Sequence, residues 1–411
     1  MSAPQGSSGG VLFVAYGGGH VASLAPVAAA MQARGEPFEF LALTTARPYL
    51  EQRGIPCFGF KDLPAARDLR VTAWGEELAR ALTASGVVSH EETVAYLGLN
   101  FRDLVSDVGE DEAWQRYRRD GRQAFLPLRT MRELLQARRP AVVVSTNSPR
   151  AERAVLEAAG ELGIASVCAV DLFALQEVQW VGKPGYGTKV CVLNEAVRTM
   201  FLEHGRRPDE VVVTGNAAFD RLSAPEAVEA GARLRAERGW DDGRVTLLWA
   251  SQAEPAQHPF TDRQGDPELP RVVERELRKF IADNAGYRLV VRYHPSEREH
   301  FVPQAGVELS TSSEDLGALL HAVDAVVVTA STVGLEASLA GRPVVSVDAS
   351  VFTEDAPYSR MGISTGVRAP GELAEVLRNL AIAPPAARSD ATAHRERATP
   401  KVLQVIESLN S

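Results

Sequence analysis

VLFVAYGGGHVASLAPVAAAMQARG, residues 11–35, is the stretch whose reading decides the fold. Its first five residues are an apolar run of β-formers, the pattern of a strand buried on both faces of a parallel sheet. Three glycines and a histidine follow, then an Ala-rich helical stretch that stops at Gly35. Residues 38–43 (FEFLAL) restart the strand pattern. Together they make a βαβ unit, which the crossover rule makes parallel and right-handed.

The same alternation runs outward along the chain. Strands are predicted at 141–145 (AVVVS), 164–170 (IASVCAV), 189–193 (KVCVL) and 211–214 (VVVT). A more charged, helical stretch at about 63–138 interrupts this first half. A second series gives strands at 245–250 (VTLLWA), 288–292 (RLVVR), 325–329 (AVVVT) and 343–347 (PVVSV), with helices at about 270–284, 314–321 and 333–341. The stretch from Pro384 to Thr399 reads as a linker to a last helix near 400–409. The expected class is α/β, with two doubly wound Rossmann-like domains facing a cleft. The division is 1–222, a linker at 223–244, 245–383, and a linker with a terminal helix at 384–411.

Composition narrows the function. The 411 residues are 45% hydrophobic and 24% charged, ordinary for large globular cores. Lys and Arg total 44 against 53 Asp and Glu, a net charge of -9. That balance argues against a nucleic-acid partner, whose phosphates need a basic face. Cys57, Cys168 and Cys191 form no CxxC pair, which points to a reducing compartment without disulfides or zinc. No Asp, Glu, Lys or Arg precedes Arg34, yet glycines at 9–10 and 17–19 break any membrane span, and a basic leader region is missing. A cytoplasmic protein is expected. The basic clusters at 117–122 and 137–139 read as solvated helix faces, with a peripheral contact at the inner face of the membrane as the alternative.

In a doubly wound sheet, ligands gather at the carboxyl ends of the strands, so the polar residues there are the candidates. Gly17, Gly18 and Gly19 let a ligand approach the backbone, and the helix after them offers free N–H groups and a positive dipole end. His20 sits where a base could meet a substrate hydroxyl. No GxGxxG register follows and no acid ends FEFLAL, which disfavours a dinucleotide-binding dehydrogenase. Ser145, Asn147 and Arg150 follow a strand, with Glu152 close by, and Asp171 follows another; Glu152 and Asp171 are alternative bases. In the second half, Thr329, Ser331 and Thr332 open a helix and suit a diphosphate, while Glu336 could accept from ribose hydroxyls. Arg292 and His294, in RYHP, end a strand as phosphate donors. Ser251 and Gln252 end a third strand of that half. Each also has a plain reading as a cap, a turn former or a surface ion pair.

The pattern resembles the GT-B glycosyltransferase superfamily, to which UDP-GlcNAc 2-epimerases also belong structurally. Gly17 to His20 with VASLAPVAAAMQARG is similar to the opening of the N-acetylglucosaminyltransferase that makes lipid II. VVVTGNAAFDRL (211–222) resembles the domain-linking segment of 2-epimerases and lipid A disaccharide synthase. VRYHP and TASTVGLEASLAGRPVV resemble donor-side motifs of bacterial surface-polysaccharide transferases. The resemblance implies an acceptor-binding first half and a nucleotide-sugar donor in the second, with no cofactor and no metal. A UDP donor is favoured and CMP or CDP is the alternative, since the HP motif points to cytidine and the glycine loop to uridine. The acceptor would be a glycan or small molecule. The epimerase signature HRREN is absent. A 2-epimerase, a CDP-polyol phosphotransferase and a non-catalytic nucleotide-sugar-binding protein stay open as alternatives. The stretch 63–138 resembles nothing nameable.

Overall fold

The computed structural model of the chain describes residues 9–82, 86–382 and 397–410. The chain divides into two compact units, Met1–Ala218 with Arg397–Ser411, and Phe219–Glu396. Each unit carries one six-stranded sheet, and every strand pairing within it is parallel.

The first sheet has the order β2-β1-β3-β4-β5-β6. Its strands are β1 (Val11–Ala15), β2 (Phe38–Ala42), β3 (Val142–Ser145), β4 (Ala165–Ala169), β5 (Lys189–Val192) and β6 (Val211–Val213). Helix α1 (Gly19–Ala33) crosses from β1 to β2 and α2 (Ala46–Glu51) follows. Then come α3 (Leu69–Ala79), α4 (His90–Val108), α5 (Glu110–Asp120) and α6 (Leu128–Arg138), which fill the stretch expected to be helical. Helices α7 (Ala151–Glu161), α8 (Val178–Val181) and α9 (Glu195–Glu203) complete the alternation.

Two glycines set the geometry of the inserted helices. A Cβ on Gly75 of α3 would strike the Val94 carbonyl of α4, and a Cβ on Gly98 of α4 would strike the Val71 carbonyl of α3. The two helices therefore meet backbone to backbone, as only small residues allow.

The second sheet has the order β12-β11-β10-β7-β8-β9. Its strands are β7 (Val245–Ala250), β8 (Tyr287–Arg292), β9 (Val307–Leu309), β10 (Ala325–Val328), β11 (Val344–Val347) and β12 (Thr365–Val367). Helices α10 (Pro225–Glu237), α11 (Leu269–Asp283), α12 (Leu316–Ala322), α13 (Thr332–Leu339) and α14 (Leu373–Asn379) surround it. The strand order reverses between β1 and β3 in the first sheet and between β7 and β10 in the second, the switch points where a doubly wound fold opens its crevice.

Two stretches differ from the sequence expectation. Residues 223–244, read as a linker, contain α10, which packs against α12; a Cβ on Gly231 would strike His321. The final helix α15 (Ala398–Glu407) joins the first unit. Its Val402, Leu403, Val405 and Ile406 are buried in one core with Leu24, Val27 and Ala28 of α1. This explains why α1 is apolar almost all round: one side meets the sheet and another meets α15. Of the expected linker before α15, residues 384–396 lie outside the described residues. Among the described residues, no helix is long and apolar enough to cross a membrane, and all three cysteines are free.

Candidate active site

In the first unit, the carboxyl ends of β1, β3 and β4 bring together residues far apart in sequence. Gly18 precedes α1 with φ of 71°, a left-handed conformation natural to glycine. A Cβ on Gly17 would run into the Thr45 side chain, so the loop passes tightly against the segment after β2. A Cβ on Gly19 would stand 3.8 Å from the Asp171 carboxylate. The turn delivers His20, one residue into α1, over the ends of β3 and β4.

His20 Nδ1 lies 2.6 Å from the Thr146 hydroxyl, 3.7 Å from Glu152 Oε2 and 3.8 Å from Asp171 Oδ2. Glu152 is fully buried and accepts from the Tyr16 N–H at 2.6 Å, the Ser148 N–H at 3.1 Å and the Thr146 hydroxyl. The threonine hydroxyl has one proton to give. With that proton on Glu152, its oxygen meets His20 as an acceptor. In the neutral ring the proton is therefore on Nδ1, and Nε2 keeps its lone pair. Among the described residues Nε2 makes no hydrogen bond, and the His20 side chain is 26% exposed. The cluster has the parts of a general base: a nitrogen with a free lone pair, an orienting hydroxyl and a buried carboxylate behind it.

Asp171 is itself positioned. Its N–H donates to Asn147 Oδ1 at 3.0 Å, its Oδ1 accepts from the Leu172 N–H at 2.8 Å, and its carbonyl accepts from Asn216. Ser145, by contrast, spends its hydroxyl on the Val14 carbonyl inside the sheet. Arg150 lies over the Tyr16 ring, 5.1 Å from the centroid, and among the described residues its buried Nε has no hydrogen-bond partner. The Tyr16 hydroxyl lies 3.1 Å from that of Tyr96 on α4, and burial pushes its pKa well up. Thr146 and Tyr16 were not singled out in the sequence. Thr146 lies between Ser145 and Asn147 at the end of the same strand, while nothing local marks Tyr16.

In the second unit the expected residues gather at the carboxyl edge in separate networks. Ser331 caps α13, accepting from the Val333 N–H at 3.3 Å, and its carbonyl accepts from the Tyr358 hydroxyl at 2.9 Å. Thr332 is exposed at the first turn. Thr329 is 3% exposed, and among the described residues its hydroxyl has no hydrogen-bond partner. Glu336 is buried, pairs with Arg221, and has its pKa raised by burial against the opposing pull of that arginine. Arg221 was not anticipated.

Of the other four strand-end residues, Ser251, Arg292 and the His294 backbone hold loops together. Ser251 is buried between Arg271 at 2.7 Å and Glu297 at 2.8 Å. Gln252, next along, is half-buried. Glu297 also accepts from the His294 N–H at 2.7 Å, while the exposed His294 ring turns Nδ1 to Ser296. Arg292 donates to Ser310 Oγ at 2.9 Å, the Thr311 carbonyl at 2.8 Å, the Ser312 carbonyl at 3.4 Å and the Glu314 carbonyl at 3.0 Å. Its guanidinium therefore binds the 310–314 loop.

Against solved structures the likeness runs over the whole chain. The UDP-GlcNAc 2-epimerase of Neisseria meningitidis, solved bound to UDP-GlcNAc, superposes with a TM-score of 0.57 at 12% identity, over 97% of this chain and 99% of that one. MurG of Acinetobacter baumannii gives 0.54 at 14% identity, over 98% and 100%. The glycotransferase of kitacinnamycin gives 0.55 at 14% identity, again over 98% and 100%. No protein-family model matches the sequence, and no curated protein does. At these identities the likeness is one of fold, and the chain has the GT-B fold with its two Rossmann-like α/β units.

Proposed function

We propose that this chain is an enzyme that moves a sugar from a nucleoside-diphosphate sugar to an acceptor hydroxyl. The observation that carries this reading is the His20–Thr146–Glu152 chain, which leaves Nε2 of His20 as a base at the carboxyl edge of the first sheet. The acceptor hydroxyl would give its proton to Nε2 while its oxygen bonds to the anomeric carbon. The bond from that carbon to the diphosphate breaks, and its electron pair leaves with the nucleotide. A positioned base of this kind supplies a factor of roughly 10²–10⁴. Asp171, near the same ring nitrogen, would favour the imidazolium as it forms.

The second unit supports a nucleotide donor through Thr329. A buried hydroxyl without a partner costs about 1–3 kcal/mol, and this one precedes the N-terminus of α13, where phosphate is favoured. Thr329, Ser331 and Thr332 would take the diphosphate, and Glu336 the ribose once Arg221 releases it. Arg292 is left out of that role, because its donors are engaged. UDP is the favoured nucleotide.

A second reading, UDP-sugar 2-epimerisation, is favoured by the fold likeness to the Neisseria enzyme. One assay separates the two. Wild type and His20→Asn are incubated with UDP-GlcNAc or its CDP-linked counterpart, with and without a panel of alcohol acceptors. Release of free nucleotide that needs an acceptor, cut at least 100-fold in His20→Asn, supports transfer. Conversion of the donor sugar without any acceptor supports the epimerase. Neither product with any donor sinks both.

A further inference from the structure

The inserted helices build a cavity that the chemistry above does not use. It has a volume of about 510 Å³ and lies within the first unit. That is the size range of small-molecule sites. Its walls combine Tyr16 at the end of β1 with Ala79 of α3 and Tyr96 and Leu97 of α4. The close contact of α3 and α4 through Gly75 and Gly98 holds the helical side of the wall in place. These apolar side chains, with Leu82 and Val88, suit an apolar body, while Thr44, Thr45 and Thr93 add hydroxyls to the same lining.

Two arginines share this lining, Arg122 and Arg150. Among the described residues neither makes an ion pair. Arg150 packs on Tyr16 with a buried, unpartnered Nε, and Arg122 is exposed. This stands out in a chain whose net charge is -9 and whose other arginines are mostly paired. The acidic residue in the same wall, Glu92, has its oxygens on the Phe60 and Lys61 N–H groups at 2.8 and 3.2 Å. The histidine there, His90, faces Glu76 at 3.0 Å. The net demand of the cavity is thus for negative charge beside an apolar surface.

Tyr16 connects the cavity to the base. Its backbone N–H holds Glu152, and its ring forms the cavity wall under Arg150. We infer that this cavity binds the acceptor, and that the acceptor is an apolar molecule carrying an anionic group, carboxylate or phosphate, which lies on Arg122 and Arg150. This rests on the transfer reading for the word acceptor, but the binding chemistry does not.

The test is calorimetric titration of the full chain, without nucleotide, using three probes of equal length: octyl phosphate, octanoate and 1-octanol. Wild type is expected to bind at least one anion tenfold or more tighter than the alcohol, and the stronger of the two names the anionic class. The Arg122→Gln/Arg150→Gln double variant should lose that preference while still binding the alcohol. Thr93→Trp, which places a large side chain into the cavity from a half-buried position on α4, should lose all three probes. Equal binding of anion and alcohol by wild type, a preference that survives in the double variant, or no saturable binding of any probe overturns the inference. Failure of UDP or CDP to bind would instead remove the transfer reading and leave the cavity result standing.

Discussion

His20 and Thr146, 126 residues apart in sequence, meet at 2.6 Å through a ring nitrogen and a hydroxyl whose proton is committed to Glu152. The contact fixes which nitrogen of the ring can accept a proton. Thr146→Val removes it without changing the side-chain volume much. We expect kcat to fall about 10- to 100-fold and stability to fall by about 1–3 kcal/mol, because Glu152 loses a buried donor. Thr146→Ser should restore both. Steady-state rates that are the same for Val and Ser at this position would remove the threonine from the mechanism.

Thr329 separates binding from stability. Thr329→Val replaces a buried, unpartnered hydroxyl by a methyl. The free protein should melt at the same temperature or higher, gaining about 1 kcal/mol, while UDP binds more weakly by a factor of ten or more. Titration of UDP into both proteins gives the answer; unchanged affinity would mean that the hydroxyl does not face the donor.

Arg292 should behave in the opposite sense. Arg292→Lys keeps the charge but loses the fork that reaches four acceptors in the 310–314 loop. Chemical denaturation is expected to show a loss of about 1–3 kcal/mol, with nucleotide affinity within about threefold of wild type. A large drop in affinity at unchanged stability would return Arg292 to the donor site.

Glu336 gives a pH dependence. Burial raises its pKa above the ordinary value of 4.5, with Arg221 opposing. A carboxyl with a raised folded pKa adds most to stability when protonated. That contribution is complete below the ordinary value and is lost as pH rises through the folded one. At pH 7 Glu336→Gln should therefore equal or exceed wild type in melting temperature, and wild type should gain on it as pH is lowered toward 4.5. Nucleotide binding should weaken at every pH. A variant that is less stable than wild type at pH 7 would show that the Arg221 pair outweighs desolvation.

Gly98→Ala tests the inserted helices. The added methyl would push into the Val71 carbonyl, so α3 and α4 must separate. A loss of more than about 2 kcal/mol is expected, together with weaker binding of octyl phosphate or octanoate. An unchanged melting curve would mean that the helices are free to shift.

The central strands were legible because they are buried on both faces and read as unbroken runs such as VLFVA and AVVV. The edge strands β9 (VEL) and β12 (TGV) were not, since three residues with polar or exposed positions give no period to read. Helix α10 was mistaken for a linker because its exposed, charged sequence presents little apolar face. At the site, position after a strand marked His20, Glu152 and Asp171 as candidates one by one. It could not find Thr146 between Ser145 and Asn147 as the residue joining them, because that depends on which side chains of β3 and its loop point to α1. Arg292 illustrates the converse: a cation at a strand end looks the same in sequence whether it awaits a phosphate or closes a loop. The cavity was invisible, since its walls come from segments as distant as residues 16, 97 and 150.

Helix α15 has a further consequence for how the molecule is made. Its buried face covers α1, yet it is synthesised after the whole of the second unit. On the ribosome the β1–α1 layer must wait, with Leu24 and Val27 uncovered, while residues 219–396 emerge and can already collapse on their own core. The unit translated first is thus the last to be completed, and fragments that stop near residue 218 should be prone to aggregate during expression.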